Sequence, residues 1–386
     1  MIGVESQITG PLGHWQVSRL DATNRYFDKR SALIAASKHK DSNVTYHWYD
    51  DIWSEFDKSK LGSSSLQHLY RQRAQQLRDE YDYLTLHYSG GADSHNILMT
   101  FVQNNIHLDN IFTNWPKIAI DSKIYKPNDI DKSSFNLLSE WDYCVLPTLQ
   151  WIARYRPEIN IEVGDWSANL NDRLYQPESF LKSSTYYGAG CLPRNQNFSK
   201  HSQKNLDQGK KVASIYGYDK PRLFLNRDLT TVSMFFSDVS MQTASNYLGE
   251  FEAFYWSPKL PQLIFEMAYS ILKYYEQNPD LRKYLRSRPL RAPIDQVVEF
   301  NNYVARKVLY PDTWNINTFQ TEKSFSAVIR DKDFWLYQSP NFDRLISSWR
   351  WQFQGFLDEI DDRFRTESGS LVPLNTRLYT IGKFLS

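Results

Sequence analysis

Apolar positions along this chain alternate between helical and every-other-residue spacing, and the changes of spacing mark the elements. Leu66, Leu69, Tyr70, Ala74 and Leu77 recur at helical spacing behind the turn sequence Gly62-Ser63-Ser64-Ser65, predicting a helix that closes near Asp82. Residues 83–88 form a short run of β-formers that stops at a glycine pair. From Asp93 onward, Ile97, Leu98, Phe101 and Val102 share one helical face, closing near Asn104-Asn105, and residues 108–113 offer a second strand. Strand, glycine turn, helix and strand make a βαβ unit, which requires a parallel sheet.

The same alternation continues downstream. Residues 145–155 read as a helix, 159–163 as a third strand and 210–216 as a fourth, ending at Gly217. The Ser-, Asn-, Gly- and Lys-rich stretch 178–208 reads as a mobile loop. Beyond about residue 240 the pattern is mainly helical, as at 260–276 and 294–309, which predicts a helical cap over the sheet. Residues 1–65 carry no periodicity that specifies structure, although they include the aromatic and acidic patch Tyr46-His47-Trp48-Tyr49-Asp50-Asp51. The expected division is an extension at 1–65, an α/β domain at 66–240 and a helical region at 241–386.

Composition narrows the class. With 41% hydrophobic and 23% charged residues, the chain of 386 residues reads as globular, with enough length for a substantial core. Its 12 Trp, 25 Tyr and 22 Phe are spread along the whole chain, which assigns them to core and half-buried shell. A net charge of +1 supplies no global field toward nucleic acid or anionic membrane. The two cysteines, Cys144 and Cys191, are too few for a disulfide framework or a four-thiolate zinc site, and read as buried or loop thiols. No signal-peptide pattern opens the sequence and no apolar run reaches about 18 residues, so a cytoplasmic protein without membrane partners is expected.

The chemistry concentrates at Ser89-Gly90-Gly91-Ala92-Asp93-Ser94, between the first predicted strand and its helix. Paired glycines let the backbone turn sharply and approach a ligand closely. Backbone N–H groups at the positive end of the following helix suit a diphosphate, Ser89 and Ser94 add hydroxyl donors, and Asp93 is placed to hold Mg²⁺. The sequence is neither G-x-x-x-x-G-K-[ST], because no lysine follows the glycines, nor a G-x-G-x-x-G dinucleotide turn.

These six residues resemble the signature S-G-G-x-D-S of the PP-loop ATP pyrophosphatases, a superfamily that includes asparagine, GMP, NAD and argininosuccinate synthetases and tRNA-modifying enzymes. Within it the chain is most similar to the synthetase domain of asparagine synthetase, over roughly residues 66–330. Three weaker segments contribute: 211–219, ending in Gly217-Tyr218-Asp219; 254–260, before a helix; and 307–311 followed by Glu322-Lys323-Ser324-Phe325-Ser326. The resemblance implies a parallel doubly wound sheet of the adenine nucleotide α-hydrolase type, with ATP and Mg²⁺ as cofactors. It also implies adenylation of a carboxylate or similar acceptor with release of pyrophosphate, then transfer to an amine or ammonia. It places Ser89, Gly90, Gly91, Asp93 and Ser94, with His87, Tyr88, Thr113, Gly217 and Lys220, at the nucleotide. Asp93 and Asp219 become metal ligands, and Lys323 and Asp219 catalytic groups.

The departures are specific. Tyr216-Gly217-Tyr218-Asp219-Lys220-Pro221 replaces the family's G-D-G-A-D-E, with Lys220 and Arg222 as additions, so aspartate is not carried over as the acceptor. Ile2 stands where a glutaminase half needs cysteine, so a separate source of ammonia or an amine is expected. Among other candidates, His95 is expected on a helix surface, and Glu162 and Asp165 either hold a metal or are solvated acids. The stretch 200–211, with His201, Lys204 and Lys210, reads as a solvated polar loop. The leading expectation is an Mg-ATP-dependent ligase acting on a small-molecule acceptor. Its rivals are a PP-loop enzyme that modifies a nucleic-acid base and an ATP-binding protein without catalysis.

Overall fold

The computed structural model describes residues 13–18, 25–27, 29–115, 145–165, 199–218, 220–228, 230–238, 248–281, 304, 307–310, 359–364 and 374–384. The chain enters through β1 (His14–Val17), β2 (Arg25–Tyr26), α1 (Lys29–Ser37), β3 (Val44–His47) and α2 (Asp50–Ser54). Helix α3 (Leu66–Glu80) follows, capped by Ser65, whose side chain accepts from the His68 N–H. Leu66, Leu69, Tyr70, Ala74 and Leu77 are buried on one face, as their spacing requires. The helix stops two residues short of Asp82 for a visible reason. Tyr81 turns to an extended backbone, and the Asp82 N–H donates to the Lys211 carbonyl at 2.8 Å, joining the neighbouring strand.

Next come β4 (Tyr83–His87), α4 (Ala92–Gln103), β5 (Asn110–Trp115), α5 (Leu146–Tyr155), β6 (Asn160–Asp165), α6 (Lys200–Asp207) and β7 (Val212–Tyr216). After β8 (Arg222–Leu225) and β9 (Thr231–Phe235), β10 (Glu250–Ala253) leads into α7 (Pro261–Gln277), and β11 (Tyr379–Lys383) lies near the end of the sequence. A five-stranded sheet runs in the order β10-β7-β4-β5-β6 with every pairing parallel. The protein is therefore an α/β protein.

Central β4 is hemmed in on both sides, with Leu86 beside Ile215 of β7 and Ile111 of β5. Leu84, Leu86, Ala213 and Ile215 alternate onto one face and are wholly buried. The other face carries Thr85, whose hydroxyl meets Ser202 of α6 at 2.7 Å. Both faces are covered, which is why the strands read as nearly continuous apolar runs.

Two expectations need correction. The sheet does not end with residue 240, because β10 pairs with β7 along residues 250–253. The region after 240, expected to be mainly helical, also contains strands. Besides the long α7, it supplies β10 and β11, and β11 joins β9 and β8 in an antiparallel sheet. Residues 304 and 307–309 are helical, while the rest of the helix expected at 294–309 lies outside the described residues.

The segment without sequence pattern forms an antiparallel sheet, β2-β1-β3, and is built into the body. Lys29 and Asp238 make a fully buried ion pair at 2.9 Å, and Trp15 Nε1 donates to the same carboxylate at 3.0 Å. Trp48, Trp53, Phe236 and Trp256 pack ring against ring. These four described aromatics are core residues. No helix among the described residues is long and apolar enough to cross a membrane.

Candidate functional site

The motif loop leaves the carboxyl end of β4, the strand at which the order of the sheet reverses: β5 and β6 follow on one side, β7 and β10 on the other. The Tyr88 N–H still donates to the Phe112 carbonyl, and the chain then turns through Gly90 at φ +77°. That left-handed conformation is one a glycine adopts without steric cost. Gly91 is the N-cap of α4 and supplies no side-chain cap to its first N–H groups.

The two serines organise the turn. The Ser89 N–H donates to Ser94 Oγ at 3.2 Å, Ser94 Oγ donates to the Gly91 carbonyl at 3.1 Å, and the two hydroxyls stand 3.3 Å apart. Gly217, one residue past β7, lies against the start of α4. A Cβ there would come within 3.2 Å of Asp93 C and Ser94 N. A side chain at this position would crowd the α4 backbone, so glycine lets the end of β7 come up to the loop.

Asp93 is the hub. Lys220 Nζ lies 3.0 and 2.8 Å from its two carboxylate oxygens, and the Tyr310 hydroxyl donates to Oδ1. The Tyr255 hydroxyl donates to the Asp93 carbonyl at 2.8 Å and accepts from Asn96 Nδ2 at 3.1 Å. Tyr70 donates to the Leu309 carbonyl at 3.0 Å, fixing the segment that carries Tyr310. Burial first, and then the Asp93 charge, push the Tyr70, Tyr255 and Tyr310 hydroxyls far above the usual phenol range. All three are neutral hydrogen-bond donors at physiological pH.

The structure thus brings Ser89, Gly90, Gly91, Asp93, Ser94, Gly217 and Lys220 to one place. Segments 254–260 and 307–310 also converge there through Tyr255 and Tyr310. Neither tyrosine was singled out from sequence, since an aromatic residue in an apolar stretch looks like core. Their one signal was membership of those two segments.

Other candidates are engaged elsewhere. The His87 ring stacks on Tyr216 at 4.1 Å and meets Phe112 edge-on at 5.3 Å, and desolvation pushes its imidazole down to about 3. Tyr88 points its hydroxyl inward, to His95 Nδ1 at 3.1 Å and Thr148 Oγ1 at 2.9 Å. Thr113 is buried within β5, and its hydroxyl finds no hydrogen-bond partner among the described residues.

His95 is not on a helix surface. It is the fourth residue of α4, buried beneath Tyr88, and desolvation pushes it down to about 4. Glu162 has a structural task, accepting from Ser199 Oγ and from the Lys200 N–H, each at 2.7 Å. It sits at the start of α6, so residues 200–207 are an N-capped helix rather than part of a loop. Asp165 ends β6. Asp219, Lys323, Cys144 and Cys191 lie outside the described residues.

No protein-family model matches the chain, and neither the curated proteins nor the solved structures contain a significant match. The functional reading therefore rests on the geometry of the loop and on the sequence motif.

The loop suits a diphosphate: a glycine turn carrying the Ser89 hydroxyl leads into a helix start without a side-chain cap. A Mg²⁺ ion held beforehand by Asp93 suits it less well. No group of three or more His, Cys, Asp or Glu arranged for a metal occurs among the described residues, and both Asp93 oxygens are already engaged.

Proposed function

We propose that this chain binds ATP through residues 89–94 and uses it to adenylate a carboxylate or similar oxyanion, releasing pyrophosphate. The observation that carries this reading is the position of Ser89-Gly90-Gly91-Ala92-Asp93-Ser94 between the central parallel strand and its helix, at the reversal of strand order. Open α/β sheets bind ligands in the crevice at such a reversal. In this reading the sheet is doubly wound, with right-handed crossovers placing α4 and α6 on opposite faces and opening the crevice between β4 and β7.

In this reading ATP supplies an anhydride whose cleavage between the α and β phosphates turns a poor leaving group on the acceptor into AMP. The chain does the rest. The first N–H groups of α4 and the Ser89 hydroxyl hold the diphosphate, while Ser94, bonded to the Gly91 carbonyl and the Ser89 N–H, keeps the turn in shape. Gly91, at φ −78° and ψ 162°, leaves the approach free of side chain. Lys220 supplies positive charge at the rim, and Lys323 is the second cation that the motif resemblance assigns. Magnesium enters as the counter-ion accompanying the phosphates, with Asp219 as the acid that the resemblance offers it. The activated acceptor then passes to ammonia or an amine.

Purified protein screened against amino acids, other carboxylates and nucleic acids for acceptor-dependent pyrophosphate release tests the reading. AMP and pyrophosphate as products support it, and ADP with phosphate contradicts it. Release dependent on RNA or DNA, weakening steeply with salt, moves the acceptor to a nucleic-acid base. ATP binding with no turnover on any acceptor leaves a binding protein only.

A further inference from the structure

Lys220 reaches Asp93 through two constraints written into the chain. Gly217 allows the end of β7 to touch the start of α4, and Pro221 disfavours a helical backbone at the residue before it. The ammonium then lies nearly equidistant from both Asp93 oxygens, at 3.0 and 2.8 Å, with the two side chains only 19% and 21% exposed. A cation bridging both oxygens of one carboxylate occupies the position of a metal ion bound bidentately. The Tyr310 hydroxyl takes a further lone pair on Oδ1. Mg²⁺ demands a near-octahedral oxygen shell at about 2.0–2.1 Å, and an ammonium on the same carboxylate excludes it by both space and charge.

Building on the ATP-binding reading, we propose that Lys220 is the resident cation of this loop, a positioning residue that supplies at Asp93 the positive charge for which a metal ion would otherwise be required. The protein consequently has little affinity for a divalent ion in the absence of nucleotide, and its grip on the ATP phosphates depends only weakly on Mg²⁺. The ammonium is tethered, so it needs no recruitment from solution, and its stem lets the charge swing from carboxylate to phosphate over a short arc.

Two measurements on the full chain test this. The first uses Tb³⁺, a hard oxygen-seeking ion whose luminescence the Tyr310 and Tyr255 rings can sensitise when it sits at Asp93. Lys220→Met should bind Tb³⁺ at least about tenfold more tightly than the unaltered protein, the effect of removing a partly buried competing cation. Adding Asp93→Asn should abolish the gain, and Lys220→Arg should behave like the unaltered protein. The second is calorimetry of ATP binding in EDTA and in Mg²⁺. Affinities within about threefold of each other are expected for the unaltered protein, against a loss of about tenfold in EDTA for Lys220→Met that Mg²⁺ repairs.

Asp93-dependent Tb³⁺ binding of equal strength with and without Lys220 would overturn the proposal, as would ATP binding by the unaltered protein that vanishes in EDTA. If Lys220→Met does not fold, judged by circular dichroism, Lys220→Arg and the EDTA comparison on the unaltered chain decide. Absence of ATP binding in every condition refutes the ATP reading instead, and the Tb³⁺ comparison then judges Lys220 alone.

Discussion

The loop region, residues 83–103, and the described part of the N-terminal region, residues 13–18, 25–27 and 29–60, differ in how their structure is encoded. In the first, nearly every determinant is local: β-formers up to a glycine turn, then apolar residues at helical spacing. In the second, the decisive partners lie more than 200 residues away. Asp238 receives both Lys29 and Trp15, Tyr379 donates to Asp50 at 2.7 Å, and Arg363 donates to the Ser42 carbonyl at 2.9 Å. A function-bearing loop can be read from a short window because its geometry is set by neighbours in sequence. A scaffold assembled across the whole chain cannot.

Breaking the long-range half should produce the largest effect. Burial pulls the Lys29 ammonium below the usual lysine range even though Asp238 opposes the shift, so the ammonium depends on its partner. Asp238→Ala should cost about 3–5 kcal/mol by leaving a buried charge unpaired. Urea denaturation measures this, and Lys29→Met combined with Asp238→Leu should restore most of it. A loss below about 1 kcal/mol would show that the N-terminal region is held by its aromatic packing instead.

The same contrast explains what could be read beforehand and what could not. The parallel sheet, α3, α4 and the six-residue motif were legible because alternation, helical spacing and glycine pairs are local signals. β10 escaped because Phe251 and Ala253 sit in a short strand defined only by its pairing with β7. His95 was misplaced on the surface because its partner Tyr88 lies on the sheet side and is itself held by Thr148 of α5, a contact 60 residues away in sequence. Glu162 was read as a solvated or metal-holding acid because Ser199, its hydrogen-bond partner, lies 37 residues downstream.

An intermediate effect should appear in the pH dependence of stability. The His95 imidazole titrates at about 4 in the folded protein, below its model-peptide value of 6.5, so the unfolded chain binds the extra proton between these values. The stabilisation is complete above pH 6.5 and is lost as pH falls toward 4. His95→Gln should therefore flatten the decline by up to about 1.4 kcal/mol per pH unit within that window, measured by denaturation at stepped pH. An unchanged slope would mean that His95 is solvated.

The smallest effect separates a capping acid from a metal ligand. Glu162→Gln weakens the charge-assisted hydrogen bonds at the start of α6 and should cost about 1 kcal/mol. ATP binding and Tb³⁺ affinity should be unchanged, by calorimetry and luminescence. Altered metal affinity would return Glu162 to the functional site.

The central claim, that residues 89–94 cradle a nucleotide diphosphate, is tested most directly by titrating ATP into the unaltered protein and into Gly91→Val. Gly91 has an ordinary extended backbone, so valine there imposes no backbone strain and instead puts a branched side chain where the phosphates approach. The account predicts a folded Gly91→Val with ATP affinity reduced at least about a hundredfold, against one site per chain in the unaltered protein. Equal affinity in the two proteins, or no ATP binding by the unaltered chain, would contradict it.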